Sequence, residues 1–182
     1  MIEIFIERNK SLLRVAIKEN GVLNECFVEE DSKMPKVGEI YKGRVKNILG
    51  AINSIFVDIG LEKEAYMYFS NEIRAKGIKK GDEILVEILK EPLGNKGAKV
   101  TKNISIAGRF MVITRDDSGI KFSRRIESEE DKLRIIKIIN TVKGYGITIR
   151  TEATEATEDE LLEEKNNIIK EIEALENKLK YS

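Results

Sequence analysis

Eight glycines between Val37 and Asn103, at positions 38, 43, 50, 60, 77, 81, 94 and 97, cut that stretch into short apolar-rich runs. Glycine marks turns and bulges between strands, so the runs 39–48, 52–59, 64–68, 83–90 and 97–102 read as strands. A short helix is expected at 70–75, between the third and the fourth. Five short strands with one interposed helix is the layout of a small Greek-key barrel.

The flanks follow different patterns. Ile2, Ile4 and Ile6 alternate with Glu3, Phe5 and Glu7, and two further apolar runs follow at 12–17 and 22–28. Asn20-Gly21 joins those two runs, and both positions of such a turn favour positive φ. A three-stranded meander therefore opens the chain, and the charged, proline-containing segment 29–36 links it to the barrel. After the barrel, 108–114 and 120–122 read as strands. Ser128, with Glu129, Glu130 and Asp131 behind it, opens a helix whose stripe is Leu133, Ile136 and Ile139, widened by Ile135 and Ile138. Gly144-Tyr145-Gly146 is expected to end that helix, and Ile147-Thr148-Ile149 to form a strand. Thr157 and Glu160 form a capping box for a last helix with Leu161, Ile168, Ile172, Leu175 and Leu179 on one face. The meander has no helix of its own and the C-terminal segment has few strands, and each layer must cover its apolar face. The expected architecture is α+β: residues 1–36 and 104–182 form one split domain, and 37–103 form an inserted barrel.

Composition removes several chemistries. Histidine is absent from the 182 residues and Cys26 is the single cysteine, which excludes a zinc-finger cluster, a His-based triad, a Cys-His dyad and a disulfide frame. No stretch approaches the roughly 18 apolar residues of a spanning helix, so the expectation is a soluble, cytoplasmic protein with no membrane partner. Lys and Arg together number 32, as do Asp and Glu, and only their distribution informs. Between 37 and 103 there are twelve Lys and Arg against nine Asp and Glu, so the barrel is net basic and its flanks net acidic.

The barrel reads Val37-Gly38-Glu39-Ile40-Tyr41-Lys42-Gly43-Arg44-Val45, then Ile55-Phe56-Val57-Asp58-Ile59-Gly60, then Gly81-Asp82-Glu83-Ile84-Leu85-Val86-Glu87. It resembles the S1 motif, an RNA-binding barrel of the oligonucleotide-binding fold. Gly94-Asn95-Lys96-Gly97-Ala98, Ile104-Ser105-Ile106-Ala107-Gly108, Ser123-Arg124-Arg125-Ile126 and Ile149-Arg150-Thr151 follow. In order and spacing they resemble the N-terminal portion of the ribonuclease E/G family, over nearly the whole chain. The resemblance implies an S1-type barrel inserted into a split, incomplete ribonuclease H-like domain. It also implies that the nuclease centre, where two aspartates hold magnesium, lies in a further domain outside this sequence. Asp31 and Asp117 fall in charged loops and Asp58 and Asp82 bound barrel strands, so no catalytic or metal residue is expected here and no cofactor in this chain. Cys26 alone cannot build the two-cysteine zinc link of some members.

Two candidate sites follow. Phe56, Tyr66, Tyr68 and Phe69 cluster in the barrel, with Lys42, Arg44, Lys46 and Lys96 around them. Bases stack on exposed rings while cations hold phosphates, and the resemblance implies that Phe56, Tyr66 and Lys96 line an RNA groove. The alternative puts Phe56 and Phe69 in the core and uses the tyrosines to plug the barrel end. Phe69 is expected in the core, and Tyr68 suits either role. The second candidate is a 5′-phosphate pocket, which the resemblance assigns to Arg150 and Thr151, helped by Arg124 and backbone near Val112. A guanidinium beside a hydroxyl suits a terminal phosphate. The alternative is a surface salt bridge from Arg150 to Glu152, Glu155 or Glu127, and the glutamates after Thr151 would repel a phosphate unless they turn away. The last helix carries ten acids and two lysines across 152–176. Its stripe suits its own sheet or a seam with a second chain, which Lys165 interrupts.

The leading expectation is an RNA-binding, 5′-end-sensing portion of a ribonuclease E/G-like protein, serving RNA processing or decay by gripping single-stranded RNA without cutting it. The alternatives are a subunit of a split endoribonuclease completed by a catalytic-domain chain, and an interaction protein of ribosome or degradation complexes. A homo-oligomer is the other partner considered.

Overall fold

The structure, a computed structural model, describes residues 1–30, 34–68 and 77–180. The helix expected at 70–75, the core role of Phe69, Asp31 and the end of the chain at Ser182 lie outside the described residues. By internal contacts the chain divides into two compact units, Met1–Pro35 and Lys36–Ser182.

The first unit is the expected meander: β1 (Ile2–Asn9), β2 (Leu12–Glu19) and β3 (Val22–Glu30) pair antiparallel in that order. Asn20 and Gly21 take φ of 51° and 82°, the two left-handed residues that a two-residue hairpin turn requires. Register places Ile4 opposite Ile17, Ile6 opposite Val15 and Val15 opposite Phe27. One face is therefore strongly apolar, and Ile2, Ile4, Ile6 and Phe27 on it are exposed.

The second unit opens with a closed barrel of five strands, β4 (Ile40–Leu49), β5 (Ser54–Asp58), β6 (Ala65–Tyr68), β7 (Glu83–Lys90) and β8 (Lys99–Thr101). They follow one another around the barrel as β4-β5-β6-β8-β7, with β6 and β8 the one parallel pair. This is the oligonucleotide-binding type of closure. Alternation fills the interior with Val45, Ile55, Val57, Ala65, Met67, Val86 and Ile88 and turns Phe56, Tyr66 and Tyr68 to the other face. The second strand begins at Ser54, later than expected, because Gly50–Ile52 make a 3₁₀ turn that Asn53 ends at φ 48°.

Residues 105–180 make a four-stranded sheet backed by two helices, and share one buried core. Its strands are β9 (Ser105–Ala107), β10 (Met111–Arg115), β11 (Ile120–Phe122) and β12 (Tyr145–Ile149), in the order β11-β12-β10-β9. The helices are α1 (Glu129–Ile139) and α2 (Glu158–Lys180). The short strand β9 has no counterpart among the sequence expectations, and it extends the sheet to four strands. Ser128 accepts from the Asp131 N–H at 3.2 Å, as expected of the α1 cap. The buried side of α1 differs: Ile135 and Ile139 are fully buried, whereas Leu133 and Ile136 are exposed. Helix α1 also stops earlier than Gly144, at Asn140 with φ 51°, and Tyr145 and Gly146 already belong to β12. The capping box of α2 forms on both sides: the Thr157 N–H donates to Glu160 at 2.8 Å and the Glu160 N–H to Thr157 Oγ1 at 3.3 Å. Leu161, Ile168 and Ile172 are buried in the protein's own core. Lys165 donates to the Ile139 carbonyl at 2.9 Å, placing a cation at the C-terminus of α1 where the helix dipole favours it. No described helix is long and apolar enough to cross a membrane.

Glu87 of β7 is a buried acid that accepts the Ser105 N–H at 2.6 Å, tying the barrel to the start of the sheet. Burial pushes its carboxyl above the ordinary carboxylate range, against the pull of that hydrogen bond. A carboxyl with a raised folded pKa binds its proton more tightly folded than unfolded. Its contribution is complete below the unfolded pKa and is lost as pH rises through the folded one. Glu87 should therefore pull the melting temperature down as pH rises through that window, against the acids held low elsewhere, and the difference between wild type and Glu87→Gln across the window reads its share.

Candidate nucleic-acid interface

Register builds the first site. Phe56 on β5 lies directly opposite Tyr66 on β6, and Tyr66 is paired in turn with Lys99 on β8. Directly opposed residues carry their side chains within about 5.5 Å on one face, so two rings stand together on the outer barrel wall. Phe56 is half-buried there and is not among the buried residues of the barrel core. Lys96 arrives on a tight turn in which Leu93 and Lys96 exchange backbone hydrogen bonds at 3.2 and 3.0 Å. The Lys63 ammonium donates to the Gly94 carbonyl and fastens this turn. Gly97 is required next, because a Cβ there would collide with the Glu64 carbonyl. A groove of about 530 Å³ results, lined by Phe56, Lys63, Tyr66, Tyr68, Asn95 and Lys96 among others.

Lys42 and Arg44 are not among the lining residues. Both pair with Glu83, at 2.9 and 3.0 Å, and Lys42 foremost, then Arg44, hold that carboxyl below its ordinary range. Lys46 pairs with Asp58 at 3.3 Å. Among the described residues Lys63 and Lys96, which line the groove, have no carboxylate partner, a difference that charge counting along the sequence could not see.

The second site grows from the parallel pair β11 and β12, whose ends run side by side into Ser123-Arg124 and Arg150-Thr151. The Ser123 N–H donates to the Ile149 carbonyl at 2.8 Å, and the Ser123 and Thr151 hydroxyls lie 3.5 Å apart. Arg124 is exposed in the turn beyond. Val112 sits one residue into β10, paired with Thr148 and Ala107. Arg150 donates to the Gly108 carbonyl at 2.7 Å, and among the described residues no carboxylate reaches it within ion-pair distance. The expected alternatives, bridges to Glu127, Glu152 or Glu155, are not formed.

Two residues not anticipated hold this site. Glu164 of α2 accepts the N–H groups of Arg109, Phe110 and Met111 at 2.8, 2.8 and 3.0 Å. A Cβ on Gly108 would collide with that carboxylate, so the glycine is what lets it in. Arg134 of α1 donates to the carbonyls of Ala153, Thr154 and Ala156 at 3.2, 2.9 and 3.0 Å, fixing the turn that follows Thr151. Glu152 and Glu155 of that turn are exposed and Ala153 is buried. Sequence carries no signal that distinguishes Glu164 from the other acids of its helix.

A family model described as "Ribonuclease E/G family" matches residues 105–182. Ribonuclease G of Haemophilus influenzae is 34% identical over 202 residues, covering 99% of this chain and 41% of that protein. The chain is homologous to the ribonuclease E/G family. Ribonuclease G of Escherichia coli K12 is 32% identical, over 87% of this chain and 37% of its own length. Ribonuclease E of Synechocystis is 35% identical, over 85% of this chain and 24% of its own length. The chain thus spans less than half the length of these ribonuclease E/G relatives. Among the described residues no group of three or more acidic or thiol side chains is placed to hold a metal ion.

Proposed function

We propose that this chain grips single-stranded RNA on the outer wall of its barrel, as the substrate-binding portion of a ribonuclease E/G-like protein in RNA processing or decay. The observation that carries the reading is the convergence of Phe56, Tyr66 and Lys96 in one open groove. Rings that stack bases beside a cation that neutralises phosphate form the usual chemistry of sequence-tolerant single-strand binding. Homology to the ribonuclease E/G family gives the same reading independently.

The 5′-end sensor belongs to this proposal. Arg150 is braced on one side by the Gly108 carbonyl and carries no ion pair among the described residues, and exposed guanidinium nitrogens suit a terminal phosphate. Thr151 and Arg124 lead off the same end of the sheet, and Val112 lies just inside it. The ribonuclease H-like character of 1–36 and 104–182 is also proposed. What supports it is the resemblance, together with an apolar face on β1–β3 that calls for a covering layer.

The test is to compare RNA bearing a 5′ monophosphate with the same RNA bearing a 5′ hydroxyl. The monophosphate should bind more tightly by a modest factor, because solvent weakens a charge-assisted contact at an exposed arginine. Arg150→Ala should abolish the difference while leaving the affinity for 5′-hydroxyl RNA unchanged. Equal binding of both RNAs by the unmodified protein would refute the sensor and leave the groove standing.

A further inference from the structure

We infer that the RNA track does not end at the first groove but continues over Tyr68 onto a second shelf bearing Lys99 and Lys102. The inference rests on the RNA reading above and extends it to a surface outside the sites assigned so far. Tyr66 and Tyr68 are two residues apart on β6 and so stand on the same face, about 6.8 Å along the strand. Their ring centroids are 6.1 Å apart and meet edge to face. That spacing gives an extended single strand two successive platforms.

Tyr68 is 59% exposed, against the half-buried Tyr66, and it lines both grooves. The second groove, about 150 Å³, is bordered by Tyr68, Leu89, Lys99, Thr101 and Lys102 among others. The Lys99 ammonium lies 4.8 Å from the Tyr68 ring centroid, which leaves its charge available to a phosphate passing the ring. Among the described residues no carboxylate borders this groove. Lys42, Arg44 and Lys46 are already paired, whereas Lys99 and Lys102 have no carboxylate partner among the described residues. Leu89, 43% exposed beside them, supplies the apolar flank of a base-sized slot. The ligand is the sugar-phosphate and base of the next nucleotides on a strand already held at Phe56 and Tyr66.

Fluorescence anisotropy on the full chain, with 5′-hydroxyl oligouridylates of about four and about ten nucleotides, tests this within the range of single-barrel site sizes. The longer oligomer should gain affinity over the shorter in the wild type. Tyr68→Ala should cut that gain by about 5- to 150-fold and Tyr68→Phe should keep it, since stacking uses the ring. Lys99→Ala combined with Lys102→Ala should make the salt dependence for the longer oligomer shallower by about 1.4, two single-strand phosphate contacts, and leave the shorter unaffected. Both lysines are half-buried, and a thermal melt confirms that the double variant folds. If the gain and the salt slope are unchanged while Phe56→Ala weakens both oligomers, the shelf is refuted and the groove survives. If the wild type binds neither oligomer, both are refuted.

Discussion

Phe56→Ala is expected to weaken binding of an unstructured 5′-hydroxyl RNA by about 5- to 150-fold, the equivalent of the roughly 1–3 kcal/mol that one base-aromatic stack contributes. The effect should be this large because the ring stands on the outer wall, opposite Tyr66. The barrel interior beneath it is filled by Ile55, Val57 and Met67, so truncation removes a platform without opening a core cavity. Melting temperature should fall far less than affinity. Tyr66→Ala should behave in the same way. Lys96→Ala should instead reduce the salt dependence by about 0.7, one phosphate contact on a single strand. Anisotropy titrations at several salt concentrations read all three. Unchanged affinity in folded Phe56→Ala and Tyr66→Ala variants would remove the groove from the RNA site.

Glu164→Ala should lower folding stability by about 2–3 kcal/mol in urea denaturation, because three backbone N–H groups lose their only charged acceptor at once. Two of those groups, on Phe110 and Met111, lie at the edge of the buried core. The same substitution should reach the proposed sensor. The loop at 108–110 presents the Gly108 carbonyl to Arg150 and the Phe110 carbonyl to the Arg150 N–H, so loosening it releases the guanidinium. Preference for a 5′ monophosphate should therefore fall in a Glu164→Ala protein still folded at low denaturant, with affinity for 5′-hydroxyl RNA intact. Gly108→Ala should reproduce both effects by displacing the carboxylate. A stable variant that keeps the monophosphate preference would show that Glu164 only fills space.

Local signals were the legible ones. Asn20-Gly21, Ser128 and the Thr157–Glu160 pair each act within a few residues, and each does in the structure what its chemistry dictates. The barrel strands were legible because glycine turns and two-residue alternation coincide. The buried side of α1 was not, since Leu133, Ile135, Ile136, Ile138 and Ile139 are apolar around more than half the helix. Only packing onto the sheet selects Ile135 and Ile139. Lys42 and Arg44 show the limit for sites: a cation near an aromatic in sequence is free or spent depending on Glu83, which is some forty residues away and adjacent only across β4 and β7. Glu164 and Arg134 were invisible for the same reason, as both act on backbone groups brought to them by the tertiary fold.

The parallel pairing of β6 with β8 has a kinetic consequence. Tyr66 meets Lys99 with β7 between them in the chain, and β4 meets β7 across a longer separation still, so closing the barrel takes non-local steps whose chain entropy must be spent before their contacts form. Antiparallel neighbours such as β4 and β5 can pair early through short connections. The pairing of β6 with β8 is one of the non-local steps, and it carries the Lys96 turn to Phe56 and Tyr66. A ligand bridging that groove would span one of these non-local seams. RNA bound there would slow barrel opening as well as occupy a site, and protection of the β6 and β8 amides from hydrogen exchange would rise with its concentration.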